Sequence, residues 1–135
     1  MNILAIDYGK KRLGLAWCDT AIGVVLPYGV IETRPTSPMG EVFGGQALDL
    51  ADLIKKERVE KVIMGLPLGL DGKENANTKI VREFAEALKT QIDIPIDFID
   101  ERFSSAQADR MTGGEASRDE KAAMVILQTY FEKSK

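Results

Sequence analysis

Three carboxylates stand where a folded chain would not hold a charge without a partner. Asp7 ends the apolar run Ile3-Leu4-Ala5-Ile6, the pattern of a buried strand. A carboxylate beside a strand core loses hydration at a cost of several kcal/mol unless a cation or hydrogen bonds replace the water. A metal ion, a phosphate-bearing ligand or a buried ion pair would each justify it. Glu101 follows a second strand pattern, Pro95 to Asp100, and ligand sites of open α/β sheets gather at such C-terminal strand ends. Taken alone, Glu101 reads more readily as an acid capping a helix that starts near Ser104. Asp119 precedes Ala123 by four residues and extends the apolar stripe Ala123, Ile126, Leu127, Tyr130 and Phe131 into the first helical turn. Attraction to the helix N-terminus, worth ~0.3–1 kcal/mol, explains an acid in that turn. It explains less well an acid on the core-facing side.

Considered together, the three acids suggest one chemistry. Carboxylates from a first strand, a later strand end and a helix start can meet at one sheet edge. Like charges held close raise one another's pKa unless a cation sits among them. The chain has no histidine and one cysteine, Cys18, so Ser-His and Cys-His catalysis, His-ligated zinc and a cysteine-rich metal site are excluded. Oxygen-only ligands select Mg²⁺ or Mn²⁺. Two such ions about 3.5–4 Å apart are the standard device for in-line phosphodiester hydrolysis. The expected activity is that of a hydrolase acting on ester bonds by a two-metal carboxylate mechanism.

The rest of the composition sets the frame. A chain of 135 residues, 44% hydrophobic and 29% charged, fits a single globular domain over 1–135. No apolar stretch reaches the ~20 residues that span a bilayer, and the N-terminal apolar run precedes the basic residues, the reverse of secretory order. A lone cysteine fits a reducing, cytoplasmic setting. The net charge of −3 counts mildly against nucleic acid as a partner, although binding follows local fields. Lys10, Lys11 and Arg12 form one such local cluster beside Asp7. Lys55, Lys56, Arg58 and Lys61 form another, read as a solvated helix end.

The elements that must position these groups follow from periodicity. Asn2 to Tyr8, Leu13 to Cys18 and Val24 to Thr33 read as strands of a meander, with Pro27 and Gly29 marking an edge or an irregularity. Arg34 to Gly45 reads as a loop and Gln46 to Arg58 as a helix with Ala47, Leu50, Ala51 and Ile54 inward. Lys61 to Met64 is a short buried strand stopped by Gly65 and Pro67. Thr78 to Lys89 is a helix with Ile80, Val81, Phe84, Ala85 and Leu88 on its core face. Pro95 to Asp100 is the last strand, Ser104 to Met111 a short helix, and Ser117 to Lys133 a final helix opened by a Ser117/Glu120 capping box. Strands first, then strands alternating with helices, imply an α/β fold with a mixed sheet, antiparallel then parallel. Cys18 is expected in the core and Trp17, alternating with it, partly exposed.

Four ordered blocks carry a family resemblance over nearly the whole chain. They are Ile6-Asp7-Tyr8-Gly9 with Arg12, Gly14, Leu15 and Ala16; Gly65-Leu66-Pro67-Leu68 with Asp71-Gly72; Asp100-Glu101-Arg102-Phe103-Ser104-Ser105 with Ala106 and Ala108; and Asp119, Ala122-Ala123 and Ile126 to Tyr130. The chain resembles the YqgF family of Holliday-junction-resolvase-like and RuvX-type pre-16S rRNA nucleases. That resemblance implies an RNase H-like fold, a five-stranded mixed sheet of three antiparallel strands then two parallel ones with helices on both faces. It implies Asp7, Glu101 and Asp119 as metal-binding catalytic acids, and a role at the 5′ end of precursor 16S ribosomal RNA or on branched DNA, as monomer or homodimer. Lys10, Lys11, Arg12 and Arg102 become candidates to steer or hold phosphate oxygens. Ser104 and Ser105 become candidate substrate contacts, although capping is their simpler use, and an ion pair with its acidic neighbours is an equal use for Arg102. Family members often carry several basic residues before the last aspartate, whereas Thr112 to Arg118 here holds one acid and one base. Two other readings compete. Asp-x-Gly followed by Gly-x-Ala also resembles the phosphate loop of sugar-kinase and actin ATPases, which place the nucleotide between two such domains. A non-catalytic RNA- or protein-binding module of the same fold would need no buried acids.

Overall fold

The computed structural model describes residues 1–9, 12–32, 50–68, 71–100 and 118–133. Five strands form one sheet: β1 (Asn2–Tyr8), β2 (Arg12–Asp19), β3 (Val24–Glu32), β4 (Lys61–Leu66) and β5 (Ile96–Asp100), in the order β3-β2-β1-β4-β5. The β1–β2 and β2–β3 pairs are antiparallel, and the β1–β4 and β4–β5 pairs are parallel. Among the described residues the helices are α1 (described over 50–56), α2 (Ala76–Lys89) and α3 (Arg118–Lys133).

β1 is paired on both sides and buried on both faces, which is why its sequence is continuously apolar rather than alternating. Leu4 and Ile6 join Leu50, Ile54, Val81, Phe84 and Leu88 in one cluster, beneath α1 and α2. Ile3 and Ala5 join Ala16, Cys18, Ile63, Ile99, Ala123, Ile126 and Leu127 in a second cluster, beneath α3. Helices thus cover both faces. No helix among the described residues is long and apolar enough to cross a membrane.

The expected elements appear with informative differences. β3 lies at an edge, and its register with β2 shifts at Leu15/Ala16, opposite Gly29 and Pro27. Gly29 has φ +146 there, a conformation that only glycine adopts without strain. β4 runs two residues beyond the expected stop, through Gly65 and Leu66, because β5 pairs with both (Gly65↔Ile99, Leu66↔Asp100). Cross-strand bonding overrides the weak strand propensity of a single glycine. α2 starts at Ala76 rather than Thr78, capped by Asn75, whose side chain accepts from the Asn77 and Thr78 N–H groups. Thr78 closes the box and is itself fully buried, its hydroxyl donating to the Pro67 carbonyl at 2.7 Å. Ile80, expected on the core face, is instead 37% exposed. The stretches 34–45 and 104–111, and the Ser117 cap, lie outside the described residues.

One polar cluster fixes how α3 lies on the sheet. Lys61, at the start of β4, donates to the Tyr130 hydroxyl and pairs with Asp97 at 2.9 Å. The ammonium also sits 4.8 Å from the Tyr130 ring centroid. These contacts, the Tyr130 bond first and the Asp97 bond second, raise the Lys61 pKa above its ordinary 10.5. A raised folded-state pKa means that this stabilisation is fully present below the unfolded value and fades as pH rises through the folded one. Tyr130→Phe should therefore lower unfolding free energy by about 1 kcal/mol in urea titrations at neutral pH. The deficit should shrink above pH 10.5. An equal deficit at all pH values would show that the hydroxyl does not act through the lysine.

Candidate active site at the C-terminal edge of the sheet

Asp7 stands at the penultimate position of β1, at the end where the parallel strands β4 and β5 also terminate. Strand alternation separates it from Leu4, Ile6 and Tyr8 and places it with Ile3 and Ala5 on the α3 face. It is only partly buried. Its cross-strand partner on β2 is Gly14. Gly14 sits inside the strand rather than in a turn, so its value lies in carrying no side chain beside the carboxylate. Arg12 opens β2 opposite Glu32, one residue past the Tyr8↔Leu13 pair.

α3 approaches the same edge from above. Tyr130 is held at Lys61, and Lys61 pairs with Ile3 near the start of β1. From Tyr130 back to Asp119 is about 16 Å of helix at 1.5 Å per residue. From Ile3 up to Asp7 is about 13 Å of strand at 3.3 Å per residue. α3 is therefore long enough to reach from Lys61 to the level of Asp7, and Asp119 lies in its opening turn. For Asp119 and Arg12 the structure describes the backbone. Lys10, Lys11, Glu101, Arg102, Ser104 and Ser105 lie outside the described residues.

Asp100 resolves a question of register. Phe98 packs against the α1/α2 cluster and Ile99 belongs to the α3 cluster. Asp100 is therefore on the Phe98 side, away from the face that carries Asp7. Among the described residues no group of three or more His, Cys, Asp or Glu is close enough to hold a metal ion. Cys18 is fully buried in the α3 cluster. Burial, and secondarily the neighbouring Asp19, push its thiol pKa up, with the amino terminus pulling weakly the other way. A thiol so placed stays protonated and is no nucleophile. Sequence reasoning missed the Asn75/Thr78 box that ties α2 to the exit of β4; the Asn-x-x-Thr spacing before an apolar run was its signal. It also missed the Lys61–Tyr130 anchor, which joins residues 69 apart and leaves no local pattern.

The sheet order and the two helical layers define an RNase H-like fold. The solved structure of Thermus thermophilus RuvC in complex with a Holliday junction superposes with a TM-score of 0.72, at 16% identity, over 99% of this chain and 94% of that one. The model of the RuvX family, described as Holliday junction resolvase, matches residues 1–133, and the chain belongs to that family. A protein of Maridesulfovibrio salexigens named "Putative pre-16S rRNA nuclease" is 36% identical over 96% of this chain and 97% of its own length. A protein of Dictyoglomus turgidum with the same name is 36% identical over 98% of this chain and 94% of its own.

The placement of Cys18 gives a direct check. The native protein should resist a thiol reagent at pH 8 and react with one equivalent once denaturant is added. Rapid labelling of the folded chain would contradict the described packing.

Proposed function

We propose that the chain hydrolyses phosphodiester bonds in the 5′ region of precursor 16S ribosomal RNA, using Asp7, Glu101 and Asp119 around a pair of Mg²⁺ or Mn²⁺ ions. The observation that carries this reading is Asp7 itself. A carboxylate stands near the C-terminal end of a central strand buried on both faces, on the face that α3 covers, in a chain of the RuvX family. The donor set suits a hard divalent ion. Asp7 is part-buried beside a glycine, the chain has no histidine, and its one thiol is sealed in the core. When bound, such ions stabilise charge at the scissile phosphate and make an attacking water available at neutral pH.

The chain's own residues then divide the work. Glu101, one residue past the Asp100 end of β5, and Asp119, in the first turn of α3, complete the acid set with Asp7. Lys10, Lys11 and Arg12 follow directly in sequence and hold the incoming backbone, Arg12 by its bidentate fork. Arg102, Ser104 and Ser105, which follow Glu101 in sequence, are the further candidates to contact the substrate strand. Action on ribosomal RNA would place the protein in the bacterial cytoplasm, where a monomer suffices. The family description and the fold shared with a junction-bound resolvase support a second reading, cleavage of four-way DNA junctions, which calls for two sites and hence a homodimer.

The two readings separate in one experiment. Labelled precursor 16S RNA and a four-way DNA junction are incubated side by side with Mn²⁺, Mg²⁺ or EDTA. The wild type should cut the RNA only with metal. Asp7→Asn should lose at least about 100-fold in rate, beyond what groups that merely orient a metal ligand contribute. Gly14→Ala, which adds the smallest side chain beside Asp7, should lose roughly tenfold or more in rate, with circular dichroism and thermal unfolding checking that the buried position still folds. Junction cutting without RNA cutting would select the second reading. Undiminished cutting by Asp7→Asn would defeat both.

A further inference from the structure

The exposure of Ile80 needs an explanation, because its helix spacing assigns it to the core and yet it stands 37% open. It lines a cavity of about 210 Å³ with Tyr8, Gly9, Pro67, Asn77 and Val81 among the described residues. Tyr8 and Gly9 directly follow Asp7, and pleating puts Tyr8 on the opposite side of β1 from that carboxylate. The cavity therefore adjoins the proposed catalytic edge across the width of one strand, at a point where Gly9 has no side chain to obstruct passage.

Its lining is aromatic and apolar with one amide. The Tyr8 ring is propped from below by Phe84, centroid to centroid 5.0 Å, which holds its plane in place. Pro67, Ile80 and Val81 supply further apolar surface. Asn77 contributes a side-chain amide, a donor and an acceptor together, and no hydrogen bond among the described residues occupies it. The first turn of α2 contains no acid that would repel a phosphate backbone. Aromatic and apolar walls with one amide at the rim suit a flat heterocycle with polar edges. They suit a bare phosphate or a paired duplex poorly.

We propose that this cavity receives one unpaired nucleobase of the strand being cut, that of the nucleotide beside the scissile phosphate. The assignment rests on the phosphodiesterase reading above and narrows it: the preferred substrate is single-stranded or splayed next to the cleavage point. Tyr8 and Ile80 are binding residues that position the strand over Asp7, and Asn77 reads the edge of the base. Base–aromatic contacts of this kind are typically worth roughly tenfold in affinity.

The test uses binding and cleavage in parallel. Short RNA and DNA oligonucleotides carry 2-aminopurine, or an abasic nucleotide, at each position in turn. In EDTA, 2-aminopurine at one position should be quenched on binding to the wild type, and an abasic nucleotide there should weaken binding roughly tenfold. Ile80→Ser, at an exposed helical position, should bind intact and abasic strands alike; so should Tyr8→Leu, provided it folds. With metal present, the abasic substrate should raise KM for the wild type and leave kcat nearly unchanged, a difference absent in Ile80→Ser. Equal wild-type binding of intact and abasic strands would overturn the base site. A full wild-type preference retained by Ile80→Ser would also overturn it. The two readings fail separately: cutting without base preference removes the cavity's role and keeps the nuclease, whereas base preference in EDTA without any cutting does the reverse.

Discussion

The double pairing of β1 is the constraint on which the rest depends. Hydrogen-bonded to β2 on one side and β4 on the other, and covered on both faces, this strand has no freedom to slip. A shift of one residue would exchange Ile3 and Ala5 with Leu4 and Ile6, and would move Asp7 from the α3 face to the α2 face. The four buried residues that precede Asp7 therefore do more than fill the core. They set the height and side at which the carboxylate emerges. Tyr8 is set on the other face by the same register.

Each helical layer carries a buried or half-buried polar contact that ties it to the sheet or to a loop leaving it. Lys61 reaches from β4 to both Asp97 and Tyr130, and so sets the tilt and height of α3 from its far end. Thr78 reaches from the start of α2 to the Pro67 carbonyl, and so fixes the loop that leaves β4. Apolar packing alone permits sliding, since it has no direction. These directional bonds supply the register that the proposed site, drawn from three separate elements, would require.

Much of this arrangement was legible from the sequence. The bounds of β1 could be read because a strand buried on both faces has a continuous apolar run that a charge and a glycine then end. The edge position and irregular register of β3 agree with Pro27, whose missing N–H a central strand would not tolerate, and with Gly29. The antiparallel-then-parallel order followed from short turns first and helical crossovers later. Other features were set by tertiary contacts. Gly65 and Leu66 extend β4 because β5 lies beside them, and no local signal reports a neighbour 34 residues on. Thr78 is buried because its hydroxyl finds two partners, the Asn75 N–H and the Pro67 carbonyl, while Ile80 lines a cavity. Of the acids, the place of Asp7 near the end of a buried strand was readable from that strand alone. Glu101 lies outside the described residues and Asp119 is described by its backbone, so their roles rest on their places in the sequence and on the family.

The proposed centre is electrostatic: three acids from β1, the end of β5 and the start of α3 would share divalent cations at one edge. The measurement that tests it most directly is a calorimetric Mn²⁺ titration of the wild type against Asp7→Asn, Glu101→Gln, Asp119→Asn and Asp100→Asn. The account predicts saturable binding that each of the first three substitutions weakens by about tenfold or more. Asp100→Asn, on the opposite face, should leave it unchanged. Wild-type affinity retained in Asp119→Asn, or lost only in Asp100→Asn, would contradict it.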